Sequence, residues 1–364
     1  MKVELIIGLE RLHVKEEEIK KQIELGQFKL LPATEGILNY VGIYDEMLKE
    51  GLRYIAKTEY EINTDDYTIS IKDIYSELKN KEYSITEYDD VVQIESEGRK
   101  GVIVKELYLG GERFINENKI IEDAIESKIR PFLTAFYLYK SGYVNPYPIV
   151  VKITRDDGIE ISPAILGTYI SNMYGIEFYS LSYKELHEIS RIIKNNADIL
   201  AKAIKEEPAF SYFIRGILEE NLLTDIIWSS GVEFSILDFI AGMESLFNTN
   251  DELKYRLALY VAHAIGENYE ERKKYKDLIS YLYEIRSKIA HGSSVKIKEK
   301  ELEKCANPAE DSYKYFKHVE SLEICAKAAE DVLRRLLNIY LSRYLAKGRS
   351  KKDFKEDIER KILS

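Results

Sequence analysis

The sequence predicts a mainly α-helical protein with an N-terminal α+β region. Between residues 66 and 109, apolar and polar residues alternate with a period of two, which is typical of an antiparallel sheet. After Pro163, apolar residues recur at helical spacing. A chain of 364 residues is also long enough to form two domains, each with its own core.

Residues 1–165 are predicted to form an α+β domain of unknown role. A short apolar strand is expected at residues 3–7 and a charged stretch with helical character at residues 14–25. The antiparallel sheet at 66–109 follows, and then a helix or helix pair at 116–140. An extended segment at 147–153 completes the predicted domain.

This N-terminal region is acidic. Residues 1–130 hold 19 Lys and Arg against 28 Asp and Glu, whereas the rest of the chain holds 34 against 35. Nearly all of the formal net charge of −10 therefore lies in the N-terminal third, where nucleic acid would be repelled. The charge balance and the lack of a basic recognition helix disfavour a DNA-binding regulator.

The remainder is predicted to comprise a helical linker region at 166–230, a helical domain at 231–346 and a charged tail at 347–364 that is solvated or frays. Ser182 and Glu185 have the spacing of a capping box that opens a helix to about Lys205, and Pro208 restarts the chain into another helix. Further helices are expected at 233–247, 252–265, 269–290 and 312–345.

The cysteines and the N-terminal residues exclude several classes of protein. Cys305 and Cys325 do not indicate a disulfide framework or a zinc site, because no clustered ligands accompany them. The N-terminal apolar run is interrupted by Glu4, and no apolar stretch reaches membrane-spanning length. We therefore expect a cytoplasmic protein without membrane contact, and no metal or other cofactor.

One helix end carries the main functional hypothesis. At 100° per residue, the predicted helix at 269–290 places Leu278, Leu282, Ile285 and Ile289 within one apolar stripe about 60° wide. Tyr283, Ser287 and His291 fall opposite that stripe, and Arg286 lies on its flank.

Arg286 and His291 diverge by about 140° around the helix axis, so one undistorted helix cannot bring both to a small ligand. Two copies meeting across a two-fold axis would place two of each in one cleft. A neutral imidazole there can take the proton of a ribose 2′-hydroxyl, and the guanidinium can stabilise the charge that grows on the phosphoryl oxygens. The competing interpretation is ordinary helix-stop chemistry, with basic residues in the last turn before Gly292.

Three segments resemble the Apea-like HEPN family. YEIRSKIAHG at 283–292 resembles the pattern that closes the third helix of that domain, FIAGMESLFN at 239–248 resembles its first helix, and YRLALYVAHAIG at 255–266 its second. The helix after about residue 312 fits the fourth. The resemblance covers residues 230–345 approximately.

This resemblance implies an antiparallel helical bundle that dimerises and, in many relatives, cuts RNA without a metal, in toxin–antitoxin, CRISPR-associated and anti-phage defence systems. By their positions in the matching segment, Arg286 and His291 correspond to the catalytic pair of that family. Tyr283, Ser287 and Lys288 carry over as supporting or RNA-contacting residues. Glu244 is either a polar residue near the cleft or an exposed helix glutamate.

The expected partners are a second copy of the chain, through the helix end that carries Arg286 and His291, and single-stranded RNA. A protein partner or antitoxin is a further expectation, and the N-terminal region would sense or regulate. The alternative is a non-catalytic HEPN scaffold that uses the same dimer face to assemble a regulatory or defence complex.

Overall fold

The computed structural model describes most of the chain. Its described residues are 1–10, 12–14, 22–35, 52–70, 83–88, 91–98, 101–110, 113–115, 117–156, 158, 160–166, 179–222, 230–247, 253–293, 295, 297, 299–306 and 321–363. Within these residues the protein is mainly helical, with antiparallel sheet in its N-terminal part. This confirms the predicted fold class at that level.

The strands in chain order are β1 (Lys2–Glu10), β2 (Leu12–Val14), β3 (Ile23–Leu25), β4 (Phe28–Pro32), β5 (Tyr54–Glu61), β6 (Thr68–Ser70), β7 (Tyr83–Tyr88), β8 (Val91–Gly98), β9 (Gly101–Gly110), β10 (Arg113–Ile115), β11 (Asn145–Thr154), β12 (Glu160–Leu166) and β13 (Tyr179–Leu181). The helices are α1 (Glu117–Ala124), α2 (Arg130–Tyr139), α3 (Tyr183–Glu206), α4 (Pro208–Leu222), α5 (Ser230–Phe247), α6 (Leu253–Ile265), α7 (Tyr269–Ala290), α8 (Glu299–Ala306), α9 (Ser321–Arg343) and α10 (Lys351–Leu363). A π-helical turn, Ile125–Ile129, joins α1 to α2.

The chain divides into two compact units, and each is built from separated stretches. Unit 1 comprises residues 1–10, 18–130 and 146–168. Unit 2 comprises residues 11–17, 131–145 and 169–364.

The described residues of unit 1 form two sheets. The first has six strands in the order β12-β11-β1-β5-β4-β3, and the second has five in the order β6-β10-β9-β8-β7. In the second sheet every neighbouring pair is antiparallel, so the antiparallel sheet predicted at residues 66–109 is confirmed.

The six-stranded sheet was only partly predicted. The expected strand at 3–7 and extended segment at 147–153 are β1 and β11, but β5 pairs antiparallel with β1 and was not identified from the sequence. In β1, Ile6 packs with Leu52, Ile55 and Val150 in a small buried cluster. At Gly8 a Cβ atom would overlap the carbonyl oxygen of Tyr147, so the close approach there requires glycine.

At two places in this part of the chain where the sequence predicted helix, the structure has strands. In the stretch at 14–25, Val14 ends β2 and residues 23–25 form β3, whereas residues 15–21 lie outside the described part. After Pro163, where helix was expected, β12 continues to residue 166 because it pairs antiparallel with β11. The predicted linker region at 166–230 also contains β13, and its residues 167–178 are not described.

Where the structure describes it, unit 2 is helical apart from one short strand pair, β2 with β13, which run parallel. Helix α3 begins with the predicted capping box, in which Ser182 and Glu185 each bond the other's backbone N–H. Helices α5, α6, α7 and α9 contact one another, and α4 packs against α5. The start of the helix predicted at 312–345 lies outside the described residues, and α9 is its described portion.

The C-terminal segment differs from the solvated tail or fraying helix that was expected at 347–364. It forms α10, in which Phe354 is fully buried and Ile358 nearly so. The Phe354 ring stacks on Phe247, and Tyr260 donates a hydrogen bond of 2.8 Å to Glu359. Two apolar positions four residues apart lie on the same face of a helix and suffice to anchor it. The charged residues of this segment occupy the outer face and therefore do not prevent the helix from packing.

Candidate functional site

The candidate site lies at the C-terminal end of α7, whose bounds match the predicted helix at 269–290. Asn268 caps its start, and the Asn268 side chain accepts a 3.0 Å hydrogen bond from the backbone N–H of Glu271. Leu278, Leu282 and Ile285 of the predicted stripe are buried, whereas Ile289, in the last turn, is only partly buried. The stripe thus fixes the rotation of α7 against the core of unit 2.

His291 stands at the capped end of this helix. The Gly292 N–H bonds to the carbonyl of Ile289 and the Ser293 N–H to the carbonyl of Lys288, each at 2.9 Å, which is the Schellman arrangement. Gly292 has a φ of 66°, a left-handed conformation that favours glycine. His291 is exposed, so its imidazole is accessible to a bound molecule.

Arg286 lies one turn and a half earlier and is held by two neighbours. Its Nη2 is 3.7 Å from Oε2 of Glu244 on α5, and its guanidinium carbon is 5.6 Å from the ring centroid of Tyr283. In the folded chain, 33% of the Arg286 side-chain surface and 20% of the Glu244 side-chain surface remain accessible to solvent. The guanidinium is therefore oriented by the protein, while a third of the side-chain surface stays accessible to solvent.

Glu244 is beside Arg286 and is not a fully exposed helix glutamate. Its Oε1 atom is buried and has no hydrogen-bond partner among the residues that the structure describes. Burial and the negative charge of Glu244 raise the pKa of the Tyr283 hydroxyl, and the positive charge of Arg286 opposes that rise. These three side chains form one electrostatic cluster, which we call the Arg286 cluster.

The other two predicted residues lie on the same helix turns. Ser287 is partly buried and Lys288 is exposed. In the described part of the chain, the charged partner of Arg286 is Glu244, and no hydrogen bond joins Arg286 to His291. One protomer thus presents an oriented guanidinium and an exposed imidazole as separate groups.

A second charged cluster in unit 2 was missed from the sequence. Glu330 on α9 is buried, and its carboxylate accepts hydrogen bonds from Ser141, Lys327 and Arg334 at 2.9, 3.2 and 2.8 Å. Burial raises the pKa of Glu330, but Lys327 and Arg334 outweigh it and hold the pKa below its usual value. The i, i+4 spacing of Glu330 and Arg334 was a visible signal, yet it does not reveal burial.

Two further properties bear on the kind of protein. Among the described residues, no three His, Cys, Asp or Glu side chains come together as metal ligands would. None of the described helices is both long and apolar enough to pass through a lipid bilayer.

Comparison with known proteins gave no match: no protein-family model, curated protein or solved structure matches the chain.

Proposed function

We propose that this chain is a metal-independent endoribonuclease of the HEPN type that acts as a homodimer, with Arg286 and His291 as its catalytic pair. The observation that carries the proposal is an exposed imidazole at a rigidly capped helix end, five residues after a guanidinium that Glu244 and Tyr283 orient. The antiparallel HEPN-like bundle that we assign to α5, α6, α7 and α9 belongs to this proposal.

Each group has a distinct role in the proposed reaction. His291 accepts the proton of a ribose 2′-hydroxyl, and the alkoxide then attacks the adjacent phosphorus. The P–O5′ bond breaks, which yields a 2′,3′-cyclic phosphate and a 5′-hydroxyl end that takes up a proton. Arg286 stabilises the negative charge that develops on the phosphoryl oxygens. These steps require no metal ion.

The remaining residues support that pair. Glu244 and Tyr283 restrict the rotamers of Arg286, so less conformational entropy is lost when RNA binds. The exposed ammonium of Lys288 and the hydroxyl of Ser287 would contact the RNA backbone. The second protomer completes the cleft, because the two catalytic groups lie apart around the axis of one helix.

RNA cleavage by purified protein tests this proposal. Single-stranded RNA of mixed sequence is incubated with the full chain in EDTA, and the products are probed for 2′,3′-cyclic phosphate ends. We expect cleavage by the wild type and a loss of about 10²- to 10⁴-fold in rate for His291→Ala, the range for a general base. Arg286→Ala should lose a similar amount, about 10²- to 10³-fold, as for an oxyanion-stabilising group.

Two exposed residues of unit 2 provide matched controls. His187→Ala removes an exposed histidine of α3, and Arg343→Ala removes an exposed arginine at the end of α9. Both variants should cleave as the wild type does. Equal losses in the control and site variants, or products with 3′-hydroxyl ends, would contradict the assignment of this site.

A second function is favoured by the ion pair of Arg286. Because Glu244 already neutralises much of that charge within one protomer, the cluster also suits a non-catalytic dimerisation scaffold in a regulatory or defence complex. Both functions require a dimer, which light scattering coupled to size exclusion would detect. The scaffold is supported if the dimer forms but wild-type protein leaves RNA intact with and without a co-expressed protein partner or antitoxin.

A further inference from the structure

The two cysteines of the chain meet inside unit 2. Cys305 lies on α8 and Cys325 on α9, and neither side chain is exposed to solvent. Their Sγ atoms are 2.6 Å apart, although the residues are 20 positions apart in the sequence. A disulfide requires about 2.0 Å between the sulfurs, so a shift of well under 1 Å would join them.

A third helix covers the pair. Tyr281 of α7 packs beside both cysteines, and its hydroxyl has a raised pKa because of burial and then the two neighbouring thiols. The Nζ atom of Lys304 lies 5.2 Å from the centre of the Tyr281 ring. The sulfurs are therefore enclosed by α7, α8 and α9, where dissolved thiols and disulfides do not reach them.

We propose that Cys305 and Cys325 form a structural disulfide that ties α8 to α9, a covalent modification formed when the chain folds with a small-molecule disulfide present. The thiolate of one cysteine attacks a sulfur of that molecule, which gives a mixed disulfide and releases one small thiol. The second cysteine loses its proton and displaces the other small thiol. Two cysteine thiols are thereby oxidised, and one small disulfide is reduced to two thiols.

The burial of the sulfurs decides when the bond forms. The hydrogen bond with Cys325 and burial both raise the pKa of the Cys305 thiol, so the folded chain holds little reactive thiolate. Oxidation must therefore precede the docking of α8 or accompany its opening. Helix α8 has eight residues, and a helix this short forms only while it is packed against its neighbours. Once formed, the bond is shielded from reductants by the same burial.

The disulfide would act mainly on the unfolded chain. It closes a loop of 20 residues and so removes many of the conformations that the unfolded chain can adopt. For a loop of this length, the equilibrium constant for unfolding falls by roughly a hundredfold. This inference does not depend on the proposed ribonuclease activity.

Thiol counting on the full chain tests the proposal. The protein is unfolded in guanidinium, refolded by dilution with oxidised glutathione, and then alkylated with a maleimide in fresh denaturant before intact-mass measurement. We expect no maleimide on this sample and two on a sample treated with phosphine in denaturant. A peptide map without reductant should contain the Cys305 peptide joined to the Cys325 peptide. Two maleimides after oxidative refolding, or disulfides only between chains, would overturn the proposal.

Stability gives a second readout. The oxidised wild type should unfold in guanidinium with an equilibrium constant roughly a hundredfold below that of the reduced wild type. The Cys305→Ala/Cys325→Ala double variant should show no dependence on oxidation. If that variant does not fold, the wild-type comparison remains decisive. Equal stability of the oxidised and reduced wild type would rule out a stabilising disulfide between α8 and α9.

Discussion

Removing the ring of Phe354 should detach α10 from the rest of unit 2. Phe354 is fully buried, and its ring centroid lies 5.4 Å from that of Phe247, 5.5 Å from that of Tyr340 and 4.9 Å from that of Tyr344. The other residues of α10 are mostly charged, and Ile358 is its only other buried side chain among the described residues. The attachment of the helix therefore depends chiefly on this one ring.

The size of the effect follows from burial. Truncation of a buried phenylalanine to alanine costs about 3 to 5 kcal/mol, because apolar contacts are lost and a cavity remains. Each favourable aromatic pair adds about 0.5 to 1.5 kcal/mol beyond the buried area. The range for the truncation already contains the loss of such contacts. Because Phe354 makes three aromatic pairs, we expect Phe354→Ala to fall at the upper end of that range and to lower the free energy of unfolding of unit 2 by about 4 to 5 kcal/mol.

Urea unfolding followed by far-ultraviolet circular dichroism measures this loss, because most of the described helices belong to unit 2. Phe354→Leu should lower the free energy of unfolding by less than Phe354→Ala does, since leucine fills part of the cavity. Lys352→Ala is the control on the same helix: its side chain is 84% exposed, and the change should stay within about 0.5 kcal/mol. If Phe354→Ala also changed stability by less than about 1 kcal/mol, the packing inferred for α10 would be refuted.

Two further predictions concern α9 and the end of α7. Glu330→Gln should destabilise unit 2 by about 1.5 to 3 kcal/mol at neutral pH, because Arg334 would lose the charge of its buried partner and keep only its ion pair with Asp331. The pKa of Glu330 is lower in the folded chain than its ordinary value of 4.5, so this stabilisation is present above about pH 4.5 and lost as the pH falls towards the folded value. Urea unfolding at several pH values should show a shallower acid slope for the variant, and an unchanged slope would contradict the ion-pair account. Gly292→Ala should cost about 1 kcal/mol because its φ of 66° strains alanine, and Gly292→Asn should cost less. Amide hydrogen exchange at Ser293 measures the stability of this helix end. Equal protection in the wild type and in both Gly292 variants would argue against backbone strain at position 292.

The sequence predicted best those elements whose signals are local. The capping box at Ser182 and Glu185, and the bounds of α7, are encoded within a few residues of one another. The period-two pattern likewise predicted the antiparallel sheet at residues 66–109, which contains β6 to β9, whereas β10 lies outside that range. The capping box, the apolar face of α7 and the pairing of β7, β8 and β9 involve neighbours in the chain, so the pattern alone is informative there.

The features that were missed depend on partners far apart in the sequence. Strand β5 and the pairing of β2 with β13 arise from long-range partners, which short windows cannot reveal. The same holds for Phe354, a single aromatic residue in a charged segment, and for the meeting of the two cysteines. At the candidate site, helical spacing predicted the exposure of His291, but only the packing of α5 on α7 brought Glu244 to Arg286.

The division of unit 2 into three stretches has a consequence for biosynthesis. Its strand pair joins Ser180 to His13, and its helix α10 spans Lys351–Leu363. As the polypeptide leaves the ribosome, unit 1 has all of its residues once position 168 has emerged, whereas unit 2 lacks α10 until residue 363 has emerged. A stop codon before α10 would therefore leave a product in which unit 1 has all of its residues and unit 2 lacks the helix that carries Phe354.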